Sequence, residues 1–197
     1  MPVLGLTGNL ATGKSTALKL LKVKGAKIFE VDKQVHSYYR DRKSLVYEKV
    51  KVAFPECLSR GSISRKKIAD IVFSNKSKLK KLEKIVHPVV TKDLLNWIEK
   101  NKGDKEKIYI AEVPLLFEKR LTRHFNKIIL IVVKKEVLIQ RIIKKYSIVK
   151  NEVSNRLSLY RPIGEKIKGS DFIVNNSLDF KRLEKEVDLL WKRIKQN

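Results

Sequence analysis

Gly8-Asn9-Leu10-Ala11-Thr12-Gly13-Lys14-Ser15, with Thr16 behind it, decides how the rest of the chain is read. Gly, four residues, then Gly-Lys-Ser is the spacing of a P-loop, which wraps a nucleotide's phosphates. The apolar run Val3-Leu4-Gly5-Leu6 precedes it, and Ala17-Leu18-Lys19-Leu20-Leu21 follows at helical spacing, so the loop joins a strand to a helix. Gly8 and Gly13 let backbone N–H groups come close to an anion, and the helix N-terminus adds partial positive charge. Lys14 is then expected to reach the β- and γ-phosphates, and the Ser15 hydroxyl to ligate a bridging Mg²⁺.

Outward from the loop, Gly25 closes the helix and Ala26 to Val31 reads as a second strand, with Asp32 at its carboxyl end. In open α/β sheets ligands bind beyond those ends, which predicts Asp32 beside the loop. A carboxylate there accepts a hydroxyl proton or holds Mg²⁺ through water. Alternatively it caps the helix beginning at Lys33, and the two roles are compatible. Amphipathic segments follow from Leu45 to Phe54, from Arg65 to Phe73, and through Leu79, Leu82, Ile85 and Val86. Ser64 and Ser77 read as caps, and a kink or break is expected at Pro88. Helix resumes through Val90, Leu94 and Ile98 and finishes before Gly103. Roughly fifty helical residues between two strands exceed a simple crossover. They read as an inserted helical lobe, about 34–103, with a mere extension of the core as the plainer alternative.

Further strands are expected at Ile108 to Ala111, Ile128 to Val133 and Asp171 to Val174. Glu112, at a strand end, is a residue type that orients metal-bound water. The segment Arg141 to Lys150 carries Lys144 and Lys145 and reads either as a lid closing over phosphates or as an exposed, charged helix end. Helices are expected from Glu136 to Ile143 and near Glu152 to Leu159, then a loop at Pro162 to Gly164. In the last helix Phe180, Leu183, Val187, Leu190, Trp191 and Ile194 form one stripe and read as core. Strands alternating with helices make an α/β fold with a parallel sheet.

The chain has 197 residues, enough for one core with an inserted lobe. With 43% hydrophobic and 34% charged residues it is no disordered polymer. No apolar run approaches the roughly 20 residues that span a bilayer. Met1-Pro2-Val3 does not open an export signal, and Cys57 has no second cysteine to pair with, so a cytoplasmic location is expected. The net charge of +24 fits a nucleic-acid surface or a solvated lysine-rich one. Pairs such as Lys66-Lys67, Lys80-Lys81 and Lys134-Lys135 are spread along the chain without zinc spacing or an RNP-type aromatic motif. The solvated reading is preferred, nucleic acid is not an expected partner, and the positive field suits phosphorylated substrates.

Several stretches, in order and across nearly the whole chain, resemble the dephospho-CoA kinase family. They are Gly5-Leu6-Thr7-Gly8, Val31-Asp32 with His36, Ile68 to Phe73, Leu82 to Pro88, Pro114-Leu115-Leu116-Phe117-Glu118, Gln140-Arg141, and Asp171-Phe172 followed by Asn176. The resemblance implies a three-layer P-loop NTPase fold with a five-stranded parallel sheet, a helical substrate lobe and a small lid, about 141–165. It implies ATP-dependent phosphorylation of the ribose 3′-hydroxyl of dephospho-CoA, with ATP as co-substrate and Mg²⁺. By position, Ala11, Thr12, Gly13, Lys14, Ser15 and Thr16 would bind ATP phosphates. Asp32 would activate the acceptor hydroxyl, Arg141 would be the lid arginine, and Asn176 would lie by the adenine. His87, Pro88 and Leu116 would fall on the acceptor side. Three residues depart from the family's pattern: Ala11 where glycine is usual, Lys145 where a second lid arginine is usual, and Tyr160 where glutamine is common. Another small P-loop kinase, acting on a nucleoside monophosphate or a metabolite, is the nearest alternative. A basic nucleic-acid-binding ATPase is the alternative from a different class.

Overall fold

In the computed structural model, which describes residues 3–73, 75–104 and 106–196, strand β1 (Val3–Thr7) is buried along its whole length. Met1 and Pro2, read above for an export signal, lie outside the described residues. After the phosphate loop come α1 (Lys14–Val23), β2 (Lys27–Glu30), α2 (Val31–Arg40) and α3 (Leu45–Ala53). A hairpin of β3 (Leu58–Ser59) and β4 (Ser62–Ile63) precedes α4 (Arg65–Phe73) and α5 (Lys76–Asn101). The remainder is β5 (Tyr109–Glu112), β6 (Lys127–Val132), α6 (Lys135–Tyr146), α7 (Lys150–Leu157), α8 (Ile163–Lys168), β7 (Phe172–Asn175) and α9 (Phe180–Gln196).

The five-stranded parallel sheet has the order β2-β5-β1-β6-β7, which puts β1 in its middle. In register, Leu6 lies opposite Glu112 on one side and Ile129 on the other. A strand covered on both faces needs no polar alternation, which is why the short apolar run Val3 to Leu6 suffices. Leu4, Leu6, Ile129 and Ile131 of the sheet pack with Leu18 and Leu21 of α1 and with Leu183, Val187, Leu190 and Ile194 of α9. Among the described residues no helix is long and apolar enough to cross a membrane.

The described residues fall into two compact units, one within 1–29 and 98–197, the other within 30–97. The second has its own core, built from Tyr38, Tyr39, Val46, Val50, Phe54, Cys57, Ile68, Val86 and Val90. Cys57 is a free, buried thiol. Burial and the nearby Cys57 push the Tyr39 hydroxyl up to about 12, against a small opposing pull from Arg65. Because the unfolded tyrosine titrates near 10, the neutral form's stabilisation is complete below about pH 10 and is lost as pH rises to about 12. Denaturant titrations at pH 9 and pH 11.5 are expected to show Tyr39→Phe losing about 2 kcal/mol less stability than the parent across that interval. Equal losses would sink this assignment.

Local readings met several corrections. Of the kink or break expected at Pro88, the break does not occur: the helix is continuous from Lys76 to Asn101. A proline inside a helix costs about 3 kcal/mol. Buried Val86, Val90, Leu94 and Ile98 on both sides return about 1.5–3 kcal/mol each, which outweighs the missing bond. The cap of α5 is Asn75, whose side-chain oxygen accepts from the N–H groups of Ser77 and Lys78, and Ser77 itself lies inside the helix. Where a loop was expected at Pro162 to Gly164, α8 begins at Ile163 with Pro162 as its cap residue. Arg60 and Gly61, both at positive φ, join β3 to β4 as the two-residue turn of the hairpin. Asp32 is not a cap: α2 begins one residue earlier, and Asp32 sits in its first turn, where a carboxylate complements the helix dipole.

Candidate active site

The phosphate loop is built from the inside by its own hydrogen bonds. Buried Thr12 donates from Oγ1 to the Asn9 carbonyl at 2.9 Å, and Lys14 Nζ donates to the carbonyls of Gly8 and Asn9, both at 3.1 Å. Gly13 has φ 89 at the start of α1, and its carbonyl accepts from Thr16 and Ala17. A Cβ on Gly13 would collide with the Asn176 side-chain amide, and one on Gly8 would come within 2.6 Å of the Ile131 carbonyl. Both glycines are therefore demanded by close approach. Ala11 stands at φ 57, a left-handed conformation that costs a non-glycine residue about 1 kcal/mol. Its methyl packs beside Leu138 and Ile142 of α6, a contact glycine would lack.

Asn176 follows β7 directly. Its amide donates to the Thr12 carbonyl at 2.8 Å, while its own N–H donates to the Val132 carbonyl. The loop is thus braced from the neighbouring strand ends. Arg141, half-buried on α6, donates to the Leu178 carbonyl at 3.3 Å.

Residues Ala11 to Thr16 together with Arg141, Lys144 and Lys145 line a cavity of about 330 Å³. Four cations and no carboxylate face it, the electrostatics a polyphosphate requires. A second hollow of about 290 Å³ lies beside it, lined by Asn176, Leu178 and Phe180 along with Ala11, Gly13 and Arg141. Phe180, read above as core, is more than half exposed and lines this hollow from the first position of α9. Sequence reasoning had no signal for that, since Phe180 falls in register with the buried stripe.

Ser15 is exposed and lines the first cavity. Among the described residues no group of three or more His, Cys, Asp or Glu is arranged to hold a metal. A hard hydroxyl next to a polyphosphate-sized cavity fits Mg²⁺, which keeps waters and binds through phosphates more than through protein cages.

The loop residues, Arg141 and Asn176 come together in the first unit, and Asp32, His87 and Pro88 belong to the second. Asp32 is exposed, four residues before His36 on α2. Burial, with help from Arg65, holds His36 below its ordinary value, and Asp32 pulls it the other way. His87 is half-buried on α5 and Pro88 exposed beside it. Leu116 has no exposed surface, so its side chain offers a ligand nothing to touch. Its side chain packs against Gly5 of β1, where an added Cβ would meet it at 2.7 Å.

Residues 2–181 match the family described as CoaE, dephospho-CoA kinase. The chain belongs to the dephospho-CoA kinase family. A dephospho-CoA kinase of Aquifex aeolicus is 35% identical over 196 residues, covering 98% of each chain. One from Fusobacterium nucleatum is also 35% identical, covering 94% of this chain and 95% of its own. The solved dephospho-CoA kinase from Campylobacter jejuni superposes with a TM-score of 0.69 at 29% identity, covering 98% of this chain and 96% of its own. Shikimate kinase from Acinetobacter baumannii, at 12% identity and a TM-score of 0.58, shares the fold.

Against the dephospho-CoA kinase pattern, Tyr160 now has a physical account. Its ring lies 4.9 Å from the buried Lys166 ammonium, a cation–π contact that glutamine cannot make. Tyr160→Leu is expected to lower unfolding stability by about 1–2 kcal/mol in denaturant titration, and an unchanged midpoint would count against the contact. Lys166 itself went unnoticed in the sequence, where it is one lysine among many.

Proposed function

We propose that this chain transfers the γ-phosphoryl group of ATP to the ribose 3′-hydroxyl of dephospho-CoA, giving CoA and ADP. The observation that carries the reading is the dephospho-CoA kinase match over residues 2–181. Loop amides and Lys14 bind the β- and γ-phosphates, and Arg141 with Lys144 and Lys145 stabilises charge that spreads as the bond to the leaving phosphate breaks. Ser15 would hold Mg²⁺, which when bound would screen the negative charge of the phosphate oxygens. Asp32 accepts the hydroxyl proton as the new P–O bond forms. Asn176, Leu178 and Phe180 take the adenine end of ATP. The helical lobe, about 34–103, with His87 and Pro88, holds the acceptor, and residues 141–165 form the lid.

A coupled assay tests this: ATP is supplied with dephospho-CoA, with nucleoside monophosphates or with nucleic acid, and ADP and product are followed together. Stoichiometric CoA formation is expected with dephospho-CoA alone. ATP consumption only with another acceptor, or stimulated by nucleic acid, would sink the reading.

A further inference from the structure

Most lysines of this chain keep their ammonium in water, but Lys166 on α8 is wholly buried. Burying a charge is costly unless partners surround it. Its partners come from three separated stretches. Glu118 Oε1, after β5, lies at 2.7 Å; Asn9 Oδ1, in the phosphate loop, accepts at 3.0 Å; and the Tyr160 ring covers the ammonium. The backbone N–H of Arg161 donates to the same Glu118 oxygen at 2.9 Å, while Oε2 is buried without a hydrogen bond among the described residues. A buried ion pair is seldom more stabilising than an apolar pair of the same size. Its value here lies in geometry. The Asn9 carbonyl accepts from both Thr12 Oγ1 and Lys14 Nζ, so whatever fixes Asn9 fixes the two residues that shape the loop.

We propose that Lys166 is a positioning residue for the phosphate loop: held by Glu118 and covered by Tyr160, it sets Asn9 and through it Thr12 and Lys14. The inference rests on the nucleotide-binding reading of the loop given above. It also ties α8, at the end of the basic segment, to the loop that segment faces.

ATP affinity, measured by titration calorimetry without any acceptor, and thermal unfolding would be followed in Asn9→Ala, Lys166→Met and the double variant. Asn9→Ala leaves the Lys166–Glu118 pair in place. It is expected to weaken ATP binding about tenfold, the usual worth of a hydrogen bond to a charged group, with a smaller fall in unfolding midpoint than Lys166→Met. Lys166→Met is expected to weaken binding at least as much, and the double variant no further than the weaker single, since both cut one link. Asn9→Ala binding ATP within twofold of the parent would overturn the proposal, and that arm stands even where Lys166→Met fails to fold. Losses that add in the double variant would overturn it too. Because no acceptor is present, a failure to make CoA in the coupled assay counts against the proposed reaction and leaves this result intact. A parent that binds no ATP counts against both.

Discussion

Lys14→Ala is expected to lower kcat/KM for ATP by about three orders of magnitude, with the melting curve unmoved. Losing one donor aimed at developing charge costs about 4 kcal/mol, which is that factor. Arg141, Lys144 and Lys145 also face the cavity, so total positive charge is not what is lost. Those three come from α6, however, whereas Lys14 opens α1 and lies folded onto the carbonyls of Gly8 and Asn9. It is the cation carried by the loop itself. Lys14→Arg is expected to recover little, because a planar guanidinium does not replace a compact ammonium turned back on its own loop. A fall below tenfold for the alanine variant would mean the α6 cations bear the phosphates instead.

Asp32→Asn is expected to reduce kcat by about 10²–10⁴, the range of a general base, while ATP affinity stays constant. The amide has nearly the same shape but cannot take a proton. A second readout comes from His36, whose low value reflects burial and Arg65 opposed by the Asp32 charge. Removing that charge leaves the lowering causes unopposed, so the His36 titration followed by NMR should move to still lower pH. Near-normal transfer with the expected His36 shift would show that Asp32 lies close to His36 yet takes no proton in the reaction.

How much of this was readable in the sequence depended on how local the cause was. The loop was legible because its glycines, lysine and serine sit at fixed spacing between a strand and a helix, and each has a single physical reason. The parallel sheet was legible because Ile128 to Val133 is apolar without alternation. Pro88 brings no break because a local rule met burial on both sides of it, and tertiary packing won. The reading of Asp32 as a cap missed by two residues of helix boundary, since the helix begins at Val31 and its cap is Glu30. The Lys166, Glu118 and Asn9 cluster was invisible, since its members are 157 residues apart at the extreme and nothing in a lysine's neighbours marks it as buried. Ala11 was noticed as a departure, and its left-handed backbone is the reason glycine is usual there.

The register of β1 bears on how the molecule comes to exist. Its partners β5 and β6 lie more than a hundred residues further on, whereas the residues of the second unit are contiguous. Closing such long chain segments carries an entropic cost that local helices avoid, so the helical unit can fold during synthesis while the first strand waits for its neighbours. The phosphate loop hangs from that waiting strand and is braced by Asn176, later still. The bracing of the loop therefore draws on residues at both ends of the chain, and no fragment that stops before Asn176 carries it complete.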